Sequence, residues 1–301
     1  MNKLVLWGGV GLGVVVLGLA GFLASRAMAW DASVATVWDV APPPVERSTD
    51  PVVLARGKHL AESIGGCTAC HGADLGGGPT EAMGPVGSFT GPNLTRGAGG
   101  VGEHYDAGTM ARAVAHGVKA DGTTVRFMPS MDLAWWPRDD LEAVASYVLS
   151  VPPVDREVPE SEVGLLGKVL DRQDAFPLDI ARRIDHDAPR PDRLAPTPTK
   201  EYGARLGLLC MGCHGKGLSG GAMQGVPDGT PPASNLTPHE TGLADWSEAD
   251  FRRLLDEGIK PDGSALHPFM PVASFGAMDD VEKRALWAYL QSLPPKEFGG
   301  F

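Results

Sequence analysis

Residues 67–71 read Cys67-Thr68-Ala69-Cys70-His71, and residues 210–214 read Cys210-Met211-Gly212-Cys213-His214. These two C-x-x-C-H strings use every cysteine in the chain. C-x-x-C-H is the attachment pattern of c-type haem. On one helical turn the two cysteines lie to one side, where each can form a thioether to a haem vinyl group. The next histidine then lies beneath the iron. A shared four-cysteine zinc site would leave both histidines unexplained, and its inner loop of 139 residues far exceeds zinc spacings. A thioredoxin-like site calls for a βαβ context that the flanking sequence lacks. The expectation is two covalently bound haem c groups, held by Cys67, Cys70, His71, Cys210, Cys213 and His214.

Laying the second string on the first reveals a duplication. Asn93-Leu94-Thr95 returns as Asn235-Leu236-Thr237, and Phe127-Met128-Pro129 as Phe269-Met270-Pro271. Gly117-Val118-Lys119-Ala120-Asp121-Gly122-Thr123 returns as Gly258-Ile259-Lys260-Pro261-Asp262-Gly263-Ser264. The offset stays between 141 and 143 residues throughout. Two homologous domains are expected, at 51–153 and 200–301.

Each iron needs a partner opposite its histidine, and that partner decides between electron transfer and an open site. The chain has 10 methionines, so a lone Met carries little weight. Met128 and Met270 stand out because each sits in Phe-Met-Pro at the same place in its repeat. The following proline stiffens the loop that must hold a soft sulfur against iron. The expected metal ligands are His71 with Met128 and His214 with Met270. The other histidines do not repeat: His116 aligns with Glu257, and His267 has no counterpart.

Apolar spacing predicts helices over 52–64, 108–118 and 138–149, and over 200–209, 247–258 and 279–292 in the second repeat. No alternating strand pattern stands out. The fold class expected is all-α. Residues 154–199 form a Pro-rich interdomain linker with a short helix near Val163–Leu170, wrapping across the domains.

Lys3 precedes an uncharged run from Leu4 to Ser25, long enough to span a bilayer. Ala27-Met28-Ala29 offers a signal-type cleavage site. Residues 1–29 are therefore read as a transmembrane anchor, favoured over a cleaved signal segment, and 30–50 as an extended stalk. Either reading puts the bulk of the chain outside the cytoplasm, in the periplasm.

The net charge is −11, which argues against nucleic acid as a partner. The chain holds 40 glycines and 26 prolines in 301 residues, nearly twice the usual share, and only 7% aromatics. Two haems would supply the apolar bulk that the side chains lack.

The order helix, C-x-x-C-H, Gly/Pro loops, Met loop and C-terminal amphipathic helix resembles a tandem of class I cytochrome c domains, over about 52–153 and 200–295. The resemblance implies that Gly57 lets the first and last helices cross against Tyr147, with Gly203 and Tyr289 in repeat two. It also implies that the Pro92 carbonyl orients His71; repeat two carries Ala233-Ser234-Asn235-Leu236 at that place. The repeated strings resemble cytochrome subunits of membrane-bound alcohol and gluconate dehydrogenases, which typically carry three haem motifs against two here. The implied role is an electron carrier and not an enzyme, on the periplasmic side of a bacterial inner membrane. Its partners would be a dehydrogenase or quinol-oxidising complex on one side and a soluble cytochrome or terminal oxidase on the other. The alternatives are a dihaem cytochrome c peroxidase and a cytochrome subunit of a membrane-bound dehydrogenase.

Overall fold

The structure, a computed structural model, describes residues 3–223, 226 and 229–299, with side chains from residue 13 onward. The outermost two residues of the 1–29 and 200–301 segments lie outside the described residues. α1 (Lys3–Val34) is one continuous helix. Its stretch Gly13–Val34 is long and apolar enough to cross a membrane, by a length and composition that suit an anchor and a signal segment alike.

The expected stalk is corrected. The helix runs on past Ala29, with Trp30 buried, Asp31 paired to Lys168 at 2.7 Å, and Ser33 donating to Asp179. Beyond Val34 the chain is extended but not free. Trp38 N donates to Gly122 O, Val45 is buried, and Arg47 donates to Leu149 O at 2.8 Å. Apolar residues and paired backbone groups in this strap find partners on the first half of the molecule, so it has no reason to stand off.

The first half holds α2 (Pro51–Glu62), α3 (Cys67–His71), β1 (Thr80–Ala82), β2 (Gly87–Thr90), α4 (Ala107–His116), α5 (Ser130–Leu133) and α6 (Arg138–Val148). Local chemistry sets the ends of these helices. Asp50 caps α2 by accepting from Val52 N, with Pro51 in the first turn. Asp106 and Thr109 form a capping box for α4, which Gly117 ends at φ 64°. The connecting segment contributes β3 (Glu162–Val163) and α7 (Leu165–Arg172). The second half holds α8 (Lys200–Gly207), α9 (Met211–His214), α10 (Glu248–Glu257), α11 (Val272–Gly276) and α12 (Asp280–Ser292).

The all-α expectation is also corrected: the molecule is mostly helical but carries a small antiparallel sheet in the order β1-β2-β3. These strands have two to four residues, too few for alternation to show in sequence. They are held by distant partners. Gly87 pairs with Val163, and Thr90 N donates to Ser161 Oγ at 2.9 Å. The end of α1 packs over this sheet through a separate apolar cluster of Trp30, Phe89 and Leu178, and α7 lies against both α1 and β2. The linker is thus a built element of the first half.

In both halves the first and last long helices cross at a glycine. A Cβ on Gly57 would lie 2.0 Å from Ala143 O, and one on Gly203 would lie 1.9 Å from Ala285 O. Tyr147 and Tyr289 are the adjoining side chains in each crossing. The two halves meet over a buried polar network. Arg56 donates to Asp140 at 3.0 Å and to Glu282 at 3.3 Å, while His59 Nε2 lies 2.8 Å from Glu282. Tyr202 donates to the same carboxylate, which is fully buried.

Candidate functional site

α3 starts after Gly66, whose φ of 57° suits only a residue without a Cβ penalty. His71 is 9% exposed, and its Nδ1 lies 2.9 Å from Pro92 O. A carbonyl only accepts, so Nδ1 carries the proton and Nε2 keeps its lone pair. Burial pushes the imidazole pKa down, and the bond to Pro92 opposes this only in part. The ring is therefore neutral, the form that ligates metals, with its second nitrogen already oriented.

The second half repeats this arrangement. His214 Nδ1 lies 2.7 Å from Ser234 O, and burial lowers its pKa as well. The proline that the resemblance offered for His71 is thus not required; the backbone carbonyl suffices. The turn behind each histidine is also shared. Gly77 N donates to His71 O at 2.9 Å, and Gly220 N to His214 O at 3.0 Å. Leu75 and Leu218 both take positive φ, 55° and 56°, and both are buried. A branched side chain there is strained, and nothing in the sequence pattern signals it.

Asn-Leu-Thr has a mechanical role. Asn93 Oδ1 accepts from Thr95 N and Oγ1, while its Nδ2 donates to Val154 O at 2.7 Å. Asn235 does the same with Thr237 and with Lys296 O, again at 2.7 Å. Each motif ties the loop beside the histidine to the tail that follows the last helix.

No two of the four cysteines are joined in a disulfide. Burial pushes the Cys67 and Cys210 thiols up to about 12. Met128 and Met270 are partly buried and pack on the main core. Each passes directly into a short helix, with Ser130 N donating to Met128 O and Val272 N to Met270 O, both at 2.8 Å. The donor set in each half is two thiols one turn before a neutral imidazole, with a thioether loop behind apolar walls. That set fits a covalently attached haem.

Four of the remaining histidines have other partners. His116 Nε2 accepts from Arg190 at 2.6 Å, and its Nδ1 meets His186 Nδ1 at 3.1 Å; burial first, then the Arg190 charge, pulls the His116 pKa down to about 4. His267 Nδ1 accepts from Phe269 N. His59, Asp279 and Glu282 bring three ligand-type atoms within 4.8 Å of one another. They form the capping box of α12 and an ion pair. Trp136 is buried beside Gly65, and Trp135 lies under Arg205 of the other half.

Residues 54–152 match the family model for cytochrome c. Over 94 residues the chain is 37% identical to the gluconate 2-dehydrogenase cytochrome c subunit of Pantoea cypripedii, covering 30% of this chain and 21% of that protein. It is 40% identical over 93 residues to the cytochrome c subunit of the quinone-dependent alcohol dehydrogenase of Gluconacetobacter polyoxogenes, covering 29% of this chain and 20% of that protein. A diheme cytochrome c-type protein of Cereibacter sphaeroides is 29% identical over 98 residues, covering 29% of this chain and 33% of its own. The chain thus spans a third or less of the length of these relatives.

Proposed function

We propose, from the premise that residues 54–152 form a cytochrome c domain, that 200–301 is a second such domain and that the chain is a dihaem electron carrier. The observation that supports this most is the doubled His–carbonyl pair, each locked to its tail by an Asn-Leu-Thr turn. Cys67, Cys70, Cys210 and Cys213 would form the thioether links. His71 and His214 would ligate through Nε2, with Met128 and Met270 on the opposite faces. Haem supplies one-electron cycling between ferric and ferrous iron. The chain's own residues supply ligands, orientation and exclusion of water. Thioether ligation favours the ferrous state and so a relatively high potential.

α1 serves as a single-pass anchor in the cytoplasmic membrane, with the two domains in the periplasm. Electrons arrive from a dehydrogenase or quinol-oxidising complex and leave to a soluble cytochrome or terminal oxidase. Similarity to dehydrogenase cytochrome subunits supports a dehydrogenase as the donor. No substrate binds to iron, so the chain itself is a carrier and not an enzyme.

The test is the purified, haem-loaded full chain. Two haems per chain are expected, with the weak far-red sulfur-to-iron band in the oxidised form. Met128→Ala and Met270→Ala should each remove part of that band. A stoichiometric high-spin haem in the unaltered protein, with rapid peroxide turnover, would instead point to the peroxidase alternative.

A further inference from the structure

Each short helix behind a Phe-Met-Pro loop lies against the other half's attachment motif. A Cβ on Gly212, between Cys210 and Cys213, would sit 3.5 Å from Asp132 Oδ1 and 3.6 Å from Oδ2. A Cβ on Gly66, next to Cys67, would sit 3.5 Å from Ser274 Oγ. Asp132 and Ser274 hold the same place in their repeats, 142 residues apart. The exchange is mutual but meets the two motifs at different points, and it is unequal in charge. Asp132 has no hydrogen bond or ion pair to its side chain among the described residues. Burial alone pushes its carboxyl pKa up, a sign of thin hydration.

We propose that Asp132, reaching across from the first half, holds the haem of the Cys210–His214 motif at a lower potential than the haem of the Cys67–His71 motif. It thereby sets the direction of electron flow inside the molecule. Ferric iron carries one more positive charge than ferrous iron, so a fixed carboxylate nearby stabilises the ferric state. Ser274 brings no charge to the first motif, where the nearby carboxylate, Glu81 beside Cys70, is exposed and screened by water. Differences in cover act in the same sense. His71 is buried, whereas His214 is only part-buried. Low dielectric disfavours the more highly charged ferric state, which raises the first potential. One electron then leaves the ferrous iron beside His214 and reduces the ferric iron beside His71, with no bond broken and no proton moved.

This inference rests on the dihaem reading, and the test separates the two. The haem-loaded full chain is titrated by optical spectroelectrochemistry after its haem content is measured. Two haems with distinct midpoints are expected. Asp132→Asn, which is isosteric, should raise only the lower midpoint, changing that haem's ferric-to-ferrous ratio about threefold to tenfold at fixed potential, where tenfold is 59 mV for one electron. Asp132→Glu should keep the lower midpoint. Ser274→Asp should lower the upper one. The double variant Cys210→Ala, Cys213→Ala should lack the lower midpoint. Two haems with no shift in Asp132→Asn, or with the upper midpoint moved instead, overturns the inference alone. Fewer than two haems in the unaltered protein overturns the dihaem reading and the inference with it.

Discussion

In the first half, Phe127 stacks on Phe89 with ring centroids 4.5 Å apart and lies 5.9 Å from Phe176. In the second half the corresponding Phe269 is 43% exposed against 36% for Phe127, and it has no ring partner among the described residues. The frame beneath them is the same, down to the glycine crossing, the histidine–carbonyl bond and the asparagine clamp. What differs is the cover. Two short strands, a third from the connecting segment, α7 and the end of α1 are laid over the first half only. The comparison separates what holds the site from what surrounds it. The shared parts are those that attach and orient a histidine, and the unshared parts govern water, charge and access.

The shared frame gives the largest expected effect. With carbonyl oxygens 2.0 Å and 1.9 Å from an added Cβ, the helices must part in Gly57→Ala or Gly203→Ala. Each should cost about 3 kcal/mol and lower haem content in its own half, read by thermal melting and by haem per chain. Equal losses would sharpen the comparison. A variant that melts like the unaltered protein would show that the crossing is not a common support.

Much of that frame was legible in the sequence, because its parts are local or periodic. C-x-x-C-H, Asn-Leu-Thr and Phe-Met-Pro each pack their chemistry into a few adjacent residues. The helices follow from 3.6-residue apolar spacing. The cover was not legible. β2 depends on Ser161 and Glu162, more than 70 residues away, and three-residue strands leave no pattern. The stalk reading failed at Trp30 and Val45, whose partners come from later in the chain. The left-handed Leu75 and Leu218 contradict their residue type and are held there by the turn around them. Asp132 reads as an ordinary acid until Gly212, 80 residues on, is brought against it.

The unshared cover gives a smaller, one-sided effect. Phe127 has a φ of 61°, a strained conformation for an aromatic residue that its stacking partners must hold in place. Phe127→Ala removes two ring contacts and should destabilise the first half by about 2 kcal/mol. Phe269→Ala, at a ring without such contacts among the described residues, should change stability by about 0.5 kcal/mol or less. Chemical denaturation monitored through each haem would show the difference. Equal effects would break the claim that the halves differ in cover.

The smallest expected effect lies where the halves meet. Burial by itself would push the Glu282 carboxyl up, but the His59 hydrogen bond and nearby positive charge hold it below its usual 4.5. The same bond raises His59 above its usual 6.5, against the effect of burial. A raised histidine stabilises fully below its unfolded value of about 6.5 and loses that contribution as pH rises through the folded value. The depressed carboxylate contributes above about 4.5 and loses its share as pH falls through the lower folded value. The pair is therefore strongest between these limits. His59→Gln should cost about 1 kcal/mol near pH 6, and the gap from the unaltered protein should shrink by pH 9. Denaturation across that range, followed through both haems, reads whether the loss is felt in each half. A gap that stays constant with pH would mean that the pair adds packing and not charge. A loss confined to one half would mean that Glu282 serves its own helix cap more than it joins the two halves.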